Sequence, residues 1–453
     1  MQQYNALAEA KIVASVFAKM RAGFRVAPSQ PFRLTPAFTL FKLEMRRDED
    51  MKRLDRLRPN IEQALHAARY RAGLVDDLAR TVVRINLQPL QLEVNRPDPA
   101  YLPYNAAALR TEAHTALCGL YYGIRQDTPV LWHPGDSTQP HIWIAGTTGS
   151  GKTTLSLTLL ASLCAATSPT ELQIFINDFK NSDSLRWLTK LPHVAGMATE
   201  PDYALCAIRD FHGEIIRRKQ YGTDGPRCVL YIDELASYSQ HRDKTYRSET
   251  AHLLSECVRL GREYKMHLVV CTQKPTSDVI DSQIAANIPY RLVGMVTSPE
   301  QSKYATGIGG VGAHLLPGRG AFVAVNGAQV VRFQAPMIND VANEVRRIRA
   351  LWSGAKRATT LVAPEVARQV VLQSAPEQDA AIIRQAWENG ASQAEMIRVL
   401  TGDPAANTGG HNRRRLIAAI GVLDRATATK QNEQSTRVSA FSFRGSSSVL
   451  KPL

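Results

Sequence analysis

Residues 146–153 read Gly-Thr-Thr-Gly-Ser-Gly-Lys-Thr, a lysine and a hydroxyl placed directly behind three glycines. An alternating apolar run, His-Ile-Trp-Ile-Ala, precedes them, and the apolar stretch TLSLTLLASLCAA follows. Strand, glycine loop and helix in that order form the setting of a phosphate-binding loop. The glycines let successive backbone N–H groups turn toward a phosphate without a Cβ in the way, and the helix beginning near Lys152 adds the positive end of its dipole. The predicted nucleotide site is therefore Gly146, Thr147, Thr148, Gly149, Ser150, Gly151, Lys152, Thr153 and Thr154. Lys152 would reach the β- and γ-phosphates of ATP, and Thr153 would ligate Mg²⁺.

Two further stretches supply groups that could use such a phosphate. CVLYIDE (228–234) ends an apolar run on Asp233 and Glu234. In a doubly wound sheet that end faces the phosphate crevice, so Asp233 is predicted to hold the Mg²⁺ shell through water and Glu234 to deprotonate the attacking water. MHLVVCTQKP (266–275) sets Gln273 at another strand end, where a neutral amide could sense the γ-phosphate.

The elements that must position these groups are legible as alternating strands and helices from 141 to about 337. Near-continuous apolar strands between helices predict a parallel sheet covered on both faces. Before it, residues 1–137 predict a small α+β domain, with a strand at 37–45, a charged helix at 48–70 and a strand at 84–94. After it come a linker (341–375), a compact helical segment (376–425) and a Ser/Thr/Gln-rich tail (426–453) predicted to be disordered. The fold class expected is α/β: a RecA-like P-loop NTPase with an N-terminal α+β domain and a helix-turn-helix-like C-terminal module.

The 453 residues carry 55 Lys+Arg against 41 Asp+Glu, a formal charge of +14 that favours a polyanionic partner. Six cysteines lie singly, without a C-x-x-C pair, and are read as reduced core residues. No stretch approaches 18 apolar residues and no signal peptide is evident, so a cytoplasmic protein without a membrane span is expected.

GTTGSGKT, NDFKN (177–181), EIIRRKQYG (214–222), LYIDELA (230–236), VRLGREYKMHLVVCTQKP (258–275), IAANIPYRLVG (284–294) and GAHLLPGRGAF (312–322) follow one another here in a familiar order. Over about residues 140–325 the chain resembles the FtsK/SpoIIIE double-stranded DNA translocases. The resemblance implies a homo-oligomeric ring, usually a hexamer, that encircles duplex DNA, moves along it with ATP and builds each active site between subunits. It also implies that Arg259, Arg262 and Arg291 stand near the subunit junction, Arg291 being the best match for an arginine on a neighbour's γ-phosphate; Arg259 reads equally as a salt-bridged helix surface. The chain has Asp178-Phe179-Lys180 where the family often has Asp-Pro-Lys, and Met295 near a family lysine. The family's long membrane-anchoring region is not recognised, which suggests a plasmid, phage or integrative-element version.

Two basic clusters are candidate DNA contacts. Arg242, Lys244 and Arg247 are predicted in a loop where the family presents basic residues to its pore. Asn412, Arg413, Arg414 and Arg415 begin a helix after Gly390 and Ser392 mark a two-helix turn, the arrangement of a recognition helix. Either cluster would also serve as a solvated charged face. Two other readings stay open: an initiator or regulator that uses ATP as an assembly switch, and a conjugative coupling ATPase.

Overall fold

Alternation along the central strands decides which side chains meet which layer. Ile142 and Ile144 face one apolar cluster with Leu155, Leu159 and Tyr231, while Trp143 and Ala145 face the other with Phe211, Leu230 and Leu268. A strand buried on both faces has to be apolar at every position, which is why these runs read as continuous rather than alternating. The computed structural model describes residues 4–76, 81–87, 90–105, 114–122, 127–355 and 376–401, with residues 416, 419, 420 and 423. The chain divides into two units, Met1–Val362 and Ala363–Leu453.

The first unit is a mixed α/β structure built on a ten-stranded sheet. Six strands run parallel in the spatial order Val194–Ala198, Leu172–Asn177, Arg227–Ile232, Met266–Thr272, Ile142–Ala145 and Tyr290–Val293. Four antiparallel strands extend it: Ala321–Asn326, Gln329–Gln334, Ala116–Tyr122 and Asp127–Trp132. The last two come from a stretch read with the N-terminal segment; Gln334 pairs with Leu120, so they continue the main sheet.

Helix Lys152–Ala166 is apolar nearly all round and correspondingly buried, packing against strand Ala116–Tyr122 and helix Val341–Leu351. On the other face lie helices Pro201–Tyr221 and Lys244–Leu260. Five cysteines are buried and all six are free, as expected.

The N-terminal residues form a five-stranded sheet against helices Ala6–Lys19 and Met51–Arg71. The single strand expected over 84–94 is instead an antiparallel pair, Val83–Leu87 and Leu90–Asn95. The signal was Pro89, which has no N–H for a ladder and interrupts the pattern.

In the second unit, helices Pro376–Glu388 and Gln393–Thr401 meet at a tight turn. Gly390 takes φ +70, and Ala391 N donates to Ala386 O, closing the first helix with a glycine in the left-handed region. Ser392 Oγ accepts from Glu395 N while the Glu395 carboxylate accepts from Ser392 N, a reciprocal cap that starts the second helix. Leu416, Ala419 and Leu423 share a core with Ile383, Met396 and Ile397. Asn412, Arg413, Arg414 and Arg415 lie outside the described residues, as do 356–375 and 424–453.

Candidate active site

The parallel strands all deliver their C-terminal ends to one crevice. Gly146 follows Ala145 and its N–H donates to Thr272 O, tying the glycine loop to the strand that carries Gln273. Asp233 follows Ile232 and donates its N–H to Asn177 O, tying the acidic strand end to the Asp178 turn. Four loops are thereby fixed by the register of neighbouring strands.

The glycine loop needs its glycines for two reasons. Gly151 has φ +102, and a Cβ there would stand 2.8 Å from Gly320 N and 3.2 Å from the Tyr101 ring. Gly320 has φ +88 and its N–H donates to Ser150 O, while Arg319 N donates to Gly149 O. Residues 318–320 therefore back the loop as a strap. Lys152 begins the helix and is only 9% exposed; its Nζ donates to Gly146 O at 2.5 Å and Thr147 O at 3.2 Å. Burial lowers its pKa below the ordinary lysine value. Thr153 is exposed beside it, Thr154 half-buried.

Asp233 is 6% exposed, with Tyr231 OH donating to Oδ1 at 2.9 Å and Lys180 Nζ donating to Oδ2 at 2.9 Å. Glu234 Oε1 accepts from Gln273 N at 3.3 Å and Ala236 N at 3.4 Å, and its Oε2 lies 4.0 Å from Lys180 Nζ. Gln273 Oε1 accepts from Thr148 Oγ1 at 3.2 Å. The structure thus brings Glu234, Gln273 and the glycine loop together through direct hydrogen bonds.

Lys180, Tyr231 and Tyr101 were given no site role from sequence. Asp178, fully buried, accepts from Lys180 N, Ser182 N and Ser182 Oγ, and this turn sends the Lys180 side chain to Asp233. Burial pulls the Lys180 pKa down, but the Asp233 carboxylate outweighs it and the net shift is upward. The sequence signal was Asp178-Phe179-Lys180 at a strand end; Tyr101 had none.

The arginines are placed differently. The Arg291 guanidinium is engaged within its own chain: it donates to Ala285 O at 2.7 Å, Ile288 O at 3.2 Å, and Tyr304 O and Ala305 O at 3.4 Å, and lies 5.4 Å from the Trp143 ring centroid. Arg259 pairs with Glu256 at 2.7 Å. Arg262, in the turn Gly261–Tyr264, is exposed and makes no ion pair among the described residues. Among the described residues, no hydrogen bond joins Arg262 or Arg291 to the glycine loop, Glu234 or Gln273.

Residues 241–249 are not one loop, since helix Lys244–Leu260 starts as soon as the Asp243 carboxylate caps it by accepting from Thr245 N. Lys244 and Arg247 therefore sit one turn apart on a helix. Arg242 and Lys244 are exposed, whereas Arg247 is half-buried and donates to His241 O and Arg242 O.

This arrangement, a glycine loop and helix N-terminus facing two strand-end carboxylates and an amide, is that of a P-loop nucleotide site. Residues 104–224 match the FtsK/SpoIIIE family. The chain carries a segment similar to that family. It is 27% identical over 248 residues to the DNA translocase FtsK of Bacillus cereus, covering 48% of this chain and 30% of that protein. It is 29% identical over 231 residues to the DNA translocase SftA of Bacillus subtilis, covering 46% and 24%. The chain therefore spans less than a third of the length of these relatives. Among solved structures, the pCW3 conjugation coupling protein TcpA, in its monomer form with ATPγS, aligns at 18% identity and TM-score 0.49 over 76% of this chain and 99% of that one. The FtsK/SpoIIIE match holds Lys152 and Asp178 but stops at residue 224, short of Glu234. Strand pairing within the parallel sheet is what sets Glu234 beside it. Among the described residues no helix is long and apolar enough to cross a membrane.

Proposed function

We propose that this chain is an ATP-driven motor that assembles as a homo-oligomeric ring, a hexamer, on double-stranded DNA and moves along it. The observation that carries the reading is the direct linkage of Glu234 and Gln273 to Thr148, which lies within the residues that match FtsK/SpoIIIE. That linkage couples the base, the amide and the phosphate loop mechanically.

ATP fits the loop. Positive-φ glycines leave its inner face free of Cβ atoms, and Lys152 holds a cation within the curve where β- and γ-phosphates would lie. Thr153 and Asp233 are the residues that would hold Mg²⁺, which would neutralise charge on the β- and γ-phosphates. Glu234 takes a proton from water as its oxygen attacks the γ-phosphorus and the bond to ADP breaks. The two backbone N–H groups on Oε1 fix which oxygen stays on the protein and leave Oε2 for the proton. Gln273 changes partner when the γ-phosphate leaves, and through its own N–H the change reaches Glu234. Arg242, Lys244 and Arg247 face DNA, with Asn412, Arg413, Arg414 and Arg415 reading sequence from the second unit. The two-helix turn of that unit also favours a second reading, a DNA-bound regulator using ATP as a switch.

ATPase assays with duplexes of increasing length, at several protein concentrations, test the proposal. Turnover per chain is expected to rise with both, because sites shared between subunits need assembly and duplex supports it. Turnover indifferent to duplex, combined with ATP-dependent binding at one DNA site, would replace the motor with the regulator.

A further inference from the structure

Helix Val341–Leu351 carries Arg346, Arg347 and Arg349, yet only Arg347 is paired, to Glu344 at 2.6 Å. Arg346 and Arg349 instead line a concavity of about 480 Å³ with Lys190, Pro192, Ala350 and Trp352. Among the described residues its lining holds three cations and no carboxylate. None of the three makes an ion pair among the described residues, and all three are exposed. Several other exposed arginines of this unit are matched: Arg186 with Asp183, Arg209 with Glu249, Arg217 with Glu214, Arg259 with Glu256. The carbonyl end of the helix favours a cation at Arg349, but it does not favour three converging ones.

The walls of the concavity are rigid. Trp352 donates its indole N–H to Cys164 O at 2.8 Å and meets His193 edge-on, and Lys190 lies over the Trp187 ring at 3.4 Å. Cys164 is near the far end of the 15-residue helix that starts at Lys152, about 18 Å along it from the phosphate loop. Lys190 and Pro192 precede strand Val194–Ala198, which puts them at the edge of the sheet opposite the nucleotide crevice.

We infer that Lys190, Arg346 and Arg349 form a further DNA contact, a phosphate clamp that holds backbone phosphates of duplex DNA at the base of the sheet. It rests on the DNA reading proposed above. Three unmatched cations around a concavity suit phosphate oxygens, with Arg346 and Arg349 able to engage them in fork geometry. Contacts made to phosphate oxygens alone read no base, so the contact is indifferent to sequence. It is separate from Arg242, Lys244 and Arg247, and Trp352 ties it to the far end of the helix that starts at Lys152.

The test is the salt dependence of full-length protein binding to a fluorescent duplex of random sequence, compared with Lys190→Ala/Arg346→Ala/Arg349→Ala. Each phosphate that the protein ceases to neutralise takes about 0.9 from the slope of log affinity against log salt, so the triple variant's slope should fall by roughly 2–3 and its binding weaken roughly tenfold or more at low salt. Its ATPase rate without DNA should match the parent's, and its melting temperature should fall only by the loss of the Lys190–Trp187 contact. Arg349→Ala alone, a single exposed change, should lower the slope by about 0.9. Equal slopes for parent and variants would overturn the clamp and leave the DNA reading standing. Failure of the parent itself to bind duplex would overturn both.

Discussion

Glu234→Gln protein is expected to bind ATP about as well as the parent and to turn it over about 10²–10⁴-fold more slowly. The glutamine amide oxygen can still accept from Gln273 N and Ala236 N, so the geometry around the crevice survives while the proton acceptor is lost. Lys152→Ala should behave oppositely at the first step. It removes the cation within the loop and its charge-assisted bonds to two phosphates, about 3–6 kcal/mol in all, which weakens ATP binding about 10²–10⁴-fold. Binding of a fluorescent ATP analogue, measured beside steady-state hydrolysis, separates the two. Wild-type hydrolysis by the Glu234→Gln protein would remove Glu234 from its assigned role.

The arginines give the second large effect. Arg291→Ala should destabilise the fold by about 2–4 kcal/mol, because four carbonyl oxygens lose their donor and the buried Trp143 ring loses its cap. Arg262→Ala should leave the melting temperature unchanged, since the side chain is exposed and without an ion pair among the described residues. If Arg262 reaches the γ-phosphate of a neighbouring subunit, its loss lowers turnover by about 10³-fold or more. Mixing Arg262→Ala with Glu234→Gln subunits should then restore part of the activity, because some junctions pair an intact arginine with an intact base. Complementation by Arg291→Ala protein of unchanged stability, with none by Arg262→Ala, would move the shared role to Arg291.

Glycine spacing, strand ends and continuous apolar runs made the central sheet and the nucleotide crevice legible, because each has a local physical cause. A phosphate loop requires its glycines in sequence, and a strand buried on both faces cannot hide that in its composition. What was not legible depends on contacts distant in the chain. Strands Ala116–Tyr122 and Asp127–Trp132 join the main sheet only because Gln334 offers an edge to Leu120. Lys180 reaches Asp233 only through the turn built on Asp178, and Arg291 is drawn into its own chain by carbonyls from two other segments. Charged residues are read from sequence as free by default. The split of 84–94 and the helix start at Lys244 had local causes, Pro89 and the Asp243 cap, that the apolar and basic patterns outweighed.

Displacement of a triplex-forming strand from a long duplex tests the central claim most directly, since only a protein that moves along DNA removes an obstacle remote from where it loaded. With ATP, the parent protein should release the third strand after a lag that lengthens with the distance between loading end and triplex, and Glu234→Gln protein should release none. Duplex-stimulated hydrolysis by the parent with no release at any distance would contradict translocation.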